Sequence, residues 1–143
     1  MSKYYVQLSM LLLLAFIMVT VGIMHIRSPQ PFVSIVPAYL PAPLVLVYLS
    51  GVFEVLGGVG LILPITRKAA SIGLIALYIA VFPANVNMAV NNVPINGQHF
   101  HPWLLWLRLP LQLVLIGWAW YVGNVKKPIH ARRLEGIFPF PSE

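Results

Sequence analysis

The chain contains no cysteine and no aspartate. Without thiols it cannot by itself exchange disulfides, ligate an iron–sulfur cluster or hold a thiolate-bound haem. It also has no G-x-S-x-G element, so the parts of a serine or cysteine nucleophile site are missing. Charge is scarce: 8% of the 143 residues are charged, against roughly 25% in an average soluble domain. With 59% hydrophobic residues, the chain cannot cover a water-facing surface, and its solvent is largely lipid. At this length the expectation is a single domain, residues 1–143.

Four stretches approach the roughly 20 apolar residues needed to cross hydrocarbon, at about 5–26, 44–63, 69–90 and 103–123. With no water to satisfy peptide groups, each is expected to be helical. Lys3 before the first stretch resembles the start of a secretory signal. That stretch is long for one, however, and 22–26 lacks an A-x-A-like cleavage site, so we read it as a retained helix.

The net charge of +6 is distributed as a topology signal. Lys3, Arg67, Lys68, Lys126, Lys127, Arg132 and Arg133 share one side of a four-span arrangement. Arg27 lies on the other side, and Arg108 lies within a helix. The positive-inside rule then makes both termini cytoplasmic, with 124–143 a short basic tail suited to anionic lipid headgroups. Nucleic acid is excluded as a partner, since the basic residues are divided by membrane spans and no recognition module is present. The expected fold is all-α: a four-helix transmembrane bundle of the cell (plasma or inner) membrane, with a Pro-rich outer loop between helices 1 and 2.

That loop carries prolines at 29, 31, 37, 41 and 43. Proline at this density forbids one long helix and stiffens the connection. Phe32, Val33, Ile35, Val36, Tyr39 and Leu40 are too apolar for a freely solvated segment. A short helical turn is expected near 31–36, either as an interfacial spacer or folded back over the bundle as a lid.

Glu54 is the feature that most demands explanation, being a carboxylate near the middle of the second apolar run. An ionised carboxylate at the bilayer centre costs on the order of 3 kcal/mol even on the lenient insertion scale. It should therefore be paired, protonated or in contact with a hydrated cavity. Ser50, Glu54 and Gly58 share one helical stripe, and small residues such as Gly51 and Gly57 mark close helix approach. Glu54 is thus expected to face the bundle interior.

Helical rise places Glu54 about 15 Å from the outer boundary, Asn85 about 8 Å, Arg108 about 8 Å and Gln112 about 14 Å, with Asn87 shallower than Asn85. Pro83 and Pro110 lie at similar depth, and each removes a backbone hydrogen bond, releasing the carbonyls of Ile79 and Trp106. Reach and fork geometry make Arg108 the expected partner of Glu54. Gln112 shares the Arg108 face, and the Trp106 carbonyl is a further acceptor for Arg108. Asn85 and Asn87 point about 200° apart, so only one belongs to the cluster. His25 closes it at the outer rim. The same residues serve either as a clamp between helices or as the polar lining of a ligand pocket. His99 and His101 form an H-x-H in the last outer loop. With His25 they are the weak candidates for a metal, and no metal is assigned from them.

The array HIRSPQPFVSIVPAYLPAPLVLVYLSGVFEVLGGVGLILPITRKAA, then VFPANVNMAV, then WLRLPLQ, resembles the DoxX-like family of small four-helix membrane proteins, from about His25 to Trp118. The resemblance implies a four-helix bundle whose shared polar positions fall on His25, Glu54, Asn85, Arg108 and Gln112. It also implies association with quinol-linked redox systems or with membrane-protein assembly.

Two functions follow. The first is an accessory or assembly component of a membrane complex, a redox complex among them, without catalysis of its own. The second is binding of a quinone or another amphipathic molecule in an outer-half pocket, with quinone the only cofactor under consideration. Expected partners are lipids and other membrane proteins, including further copies of the chain. Transport of a proton or solute ranks below both, because four helices make a narrow pathway and no inverted repeat is evident.

Overall fold

The structure is a computed structural model describing residues 3–126. It is all-helical, with α1 (Lys3–Arg27), α2 (Gln30–Val33), α3 (Pro43–Ile62), α4 (Arg67–Asn91) and α5 (Pro102–Gly123). The four long helices are each long and apolar enough to cross a membrane. Their ends differ by no more than two residues from the apolar stretches. The tail residues Lys127, Arg132 and Arg133 lie outside the described residues.

Proline sets most of the boundaries. Pro29 ends α1, because the residue before a proline is steered out of the helical region. Pro43 and Pro102 begin α3 and α5, where a missing N–H costs nothing. Leu63, preceding Pro64, leaves α3 in an extended conformation. Asn92 closes α4 in the left-handed region at φ 45°, its N–H returning to the Met88 carbonyl, an ordinary stop for a helix without glycine. Pro83 and Pro110 lie inside α4 and α5.

α1 packs mainly on α3, α3 on α4 and α4 on α5; α1 and α5 complete the ring with a slighter contact. Small residues set the closest of these approaches. A Cβ on Gly51 would lie 2.7 Å from His25 Cβ and 2.8 Å from the Gly22 carbonyl oxygen. One on Gly58 would lie 2.8 Å from the Ala15 carbonyl oxygen. α1 and α3 therefore run antiparallel with backbones nearly touching.

These contacts also set the register. Arg27, the last residue of α1, comes level with about residue 49 of α3, so α3 continues roughly 9 Å past the end of α1. The Pro-rich segment between them has to climb that distance beside α3. Its Phe32, Ile35, Val36 and Leu40 turn inward, while Tyr39 stays 77% exposed.

Two buried clusters hold the bundle. One, toward the short turn between α3 and α4, contains Leu11, Leu14, Leu61, Leu74, Ala119 and Val122. The other, at the opposite end, joins Ile35 of the Pro-rich loop to Met88, Ala89 and Leu105. The outer surface is apolar: Phe16 is 70% exposed and Leu113 65% exposed, as helices solvated by acyl chains require.

Arg67 fastens the short-turn end. Its Nε donates to the Leu61 carbonyl at 2.9 Å, Nη2 to Ile62 at 3.3 Å and Nη1 to Val125 at 3.1 Å. The first two satisfy carbonyls that the end of α3 leaves without helical partners, the third ties in the chain just past α5, and a cation there complements the helix dipole. Arg67→Ala is expected to lower stability by about 1.5–3 kcal/mol, the usual worth of hydrogen bonds from a charged donor. Thermal unfolding in micelles checks this, and an unchanged midpoint would count against it.

Candidate functional site

Between the two buried clusters lies a cavity of about 620 Å³ walled by all four long helices and by the Pro-rich loop. Its walls are mostly apolar, from Ile17 and Val21 of α1 to Leu111 and Leu115 of α5. Into it come His25 from α1, Ser50 and Glu54 from α3, Tyr78 and Asn85 from α4, and Arg108 and Gln112 from α5. Of the polar residues singled out from sequence, His25, Glu54, Asn85, Arg108 and Gln112 share this one space.

The pairing within it differs from expectation. Glu54 Oε2 lies 3.0 Å from His25 Nδ1, both side chains being 12% exposed, and this is the single ion pair among the described residues. Arg108 does not pair with Glu54 or approach the Trp106 carbonyl; its Nη1 donates to the Met88 thioether at 2.9 Å. The register explains the correction. His25 lies level with Gly51, where α1 and α3 touch, one turn of α3 from Glu54, so the two side chains have only about 4.5 Å to bridge along the helices. Placing the ends of α1 and α3 at one common boundary put His25 too far out.

His25 is held from two further directions. Its Nδ1 lies 2.9 Å from the Val21 carbonyl, and its ring stacks on Phe32 of the loop at 3.7 Å between centroids. The shared Nδ1 is aligned on that carbonyl, so Glu54 Oε2 is buried without an aligned hydrogen bond. Its contact with the imidazole is electrostatic.

Gln112 forms the second polar node. It is 4% exposed, and its two ends are both used. The side-chain N–H donates to the Tyr78 carbonyl, one residue before the carbonyl released by Pro83. Its Oε1 accepts from Asn85 Nδ2 at 2.5 Å. The Tyr78 hydroxyl donates to Met18 Sδ at 2.9 Å, linking α4 to α1. Met18 and Met88 thus act as acceptors, a role that sequence patterning does not reveal because thioethers read as core.

Asn87 faces away from the cavity. Its Nδ2 donates to the Ile35 carbonyl at 2.9 Å, and its Oδ1 accepts from Asn91. It therefore pins the Pro-rich loop, whose Phe32, Ile35, Val36 and Leu40 wall the cavity. The helical turn expected at 31–36 is α2, at Gln30–Val33, followed by two further turns of backbone hydrogen bonds. Ala42 closes the segment in the left-handed region at φ 49°, where a residue with a Cβ carries strain of about 1 kcal/mol or more.

His99 and His101 lie apart from this cavity. His99 Nδ1 contacts the Asn92 carbonyl at 3.1 Å, and His101 occupies the N-cap position of α5. Between α4 and α5, Asn96 and Gly97 at φ 51° and 76° make a tight turn, with Ile95 and Gln98 exchanging both backbone hydrogen bonds. The Asn-Gly pair is the signal for such a turn. Among the described residues no group of three metal-ligating side chains converges.

Fold and cavity define a four-span membrane bundle with a mostly apolar chamber into which a few polar side chains converge. The chain belongs to the family described as a domain of unknown function, DUF8561, whose model matches residues 14–123. That span contains every polar residue of the cavity. Neither curated proteins nor solved structures give a match.

Proposed function

We propose that the chain binds an amphipathic small molecule inside the membrane, its polar head among His25, Glu54, Asn85, Arg108 and Gln112 and its apolar part against the Leu and Ile walls. The observation that supports this most is the cavity itself. About 620 Å³ lies within the range of roughly 300–1,000 Å³ typical of small-molecule sites, and apolar walls with a few convergent polar groups are their usual composition. A clamp between helices needs the polar contacts but no such space. A quinone ring, with acceptor oxygens for the amide and guanidinium donors, is one candidate head.

The experiment is native mass spectrometry of protein extracted in mild detergent. We expect a co-purified amphiphile with wild type and its loss from the double variant Glu54→Gln, Gln112→Leu. Absence of any such species from the wild type would overturn the reading.

A second reading, an accessory or assembly component of a membrane complex, is favoured by a separate groove between α3 and α4. Its lining includes Leu56, Val59, Ala69 and Gly73; Gly57 and Gly60 there already seat Leu74 and Ala70 of α4, whereas Gly73 is open to the close approach of another transmembrane helix. The likeness to DoxX-like proteins belongs with this reading. For orientation, we place Arg67 and Lys68 on the cytoplasmic side of the cell membrane, which puts the cavity in the outer half.

A further inference from the structure

The charges of the cavity do not balance within it. Glu54 faces His25 at 3.0 Å. Such a pair is least costly in a dry surrounding when neutral in sum, as carboxylate with imidazolium or as acid with imidazole. Either form leaves Arg108 unanswered. Arg108, an exposed residue six positions into α5, is among those that line the cavity, and its one protein acceptor among the described residues is the Met88 thioether. A thioether accepts weakly and carries no charge. The other two carboxylates, Glu135 and Glu143, lie outside the described residues.

We infer that the ligand is an amphiphile with an anionic head, which Arg108 receives. The step rests on the small-molecule reading of the cavity and narrows it from neutral heads to charged ones. Guanidinium presents a planar fork of donors matching the paired oxygens of a carboxylate or phosphate. Asn85 and Gln112 are already bonded to each other and to the Tyr78 carbonyl, so they position α4 and α5 around the head instead of supplying its charge. The His25–Glu54 pair lies across the same cavity. Neutral in sum, the pair offers a second anion no countercharge on that side, which favours one charged end and one apolar end.

The experiment measures binding of oleate, oleyl phosphate, oleyl alcohol and decylubiquinone to the full chain in nanodiscs of zwitterionic lipid. The expected result is that at least one anionic probe binds roughly tenfold or more tighter than oleyl alcohol, the usual worth of one charge-assisted hydrogen bond. Whichever of the two anionic probes is the tighter identifies the head as carboxylate or phosphate. Arg108→Gln should remove that preference while keeping alcohol binding, and Arg108→Lys should retain part of it. The lysine variant keeps the comparison open if the glutamine variant does not fold. Equal affinity for oleate, oleyl phosphate and oleyl alcohol would overturn the anionic head but keep the cavity as a binding site, as would tighter binding of decylubiquinone. Binding of none of the four would overturn both.

Discussion

Replacing His25 with Leu is expected to destabilise the bundle by about 3 kcal/mol, the cost of leaving one member of a buried ion pair without its partner. The imidazole is the group that meets Glu54, at 3.0 Å with both side chains 12% exposed. Glu54 Oε2 has no aligned hydrogen bond of its own, so nothing else among the described residues takes over. Glu54→Leu removes the charge together with its need for a partner and should cost less. The double variant His25→Leu, Glu54→Leu should recover most of the loss, since an apolar pair of similar volume often matches a buried ionic one. Thermal unfolding of all four proteins, taken as a double-mutant cycle, measures the coupling. Additive losses would mean that the two side chains do not act as a pair. A loss with His25→Leu that persists in the double variant would move the role of His25 to its stacking on Phe32.

Gly51→Leu should have an effect of similar size, about 3 kcal/mol, at the upper end of what overpacking a tight contact costs. Its Cβ alone would sit 2.7 Å from His25 Cβ and 2.8 Å from the Gly22 carbonyl oxygen. The second of these is backbone and cannot swing aside. α1 and α3 would have to separate or slide, and either movement breaks the His25–Glu54 approach. Gly73 is the internal control, because nothing lies within 4 Å of a Cβ placed there. Gly73→Leu should therefore stay within about 0.5 kcal/mol of wild type or gain slightly from better helix propensity. Unfolding midpoints that fall equally for both variants would show that the α1–α3 approach does not govern stability.

Both results bear on the proposed function through one structural relation. The Gly22–Gly51 approach sets the register of α1 on α3, and that register places His25 beside Glu54. It also makes the Pro-rich segment rise along α3, where Phe32 and Ile35 become walls of the cavity. A ligand seated inside would thus touch the loop as well as the helices. Asn87, holding the Ile35 carbonyl from α4, is the contact through which the far side of the bundle secures that loop.

The amino-acid sequence by itself determined the four spans, because a lipid solvent leaves a peptide backbone no choice but helix over about twenty apolar residues. It also determined which polar residues lie at similar depth, since helical rise converts position into height. Helical rise put Asn85 and Gln112 about 6 Å apart in depth, so their meeting was not legible in this way. Only the tertiary structure decided that Glu54 faces His25 and that Arg108 turns to Met88. Depth says how far along a helix a residue lies, but not which helices are neighbours or how one is shifted against the next. That shift comes from a backbone contact at Gly22 and Gly51, a pair remote in sequence whose fit exists only once α1 and α3 are together. The cavity has the same origin, as space left where the proline-containing helices and an inward-turned loop do not close on one another.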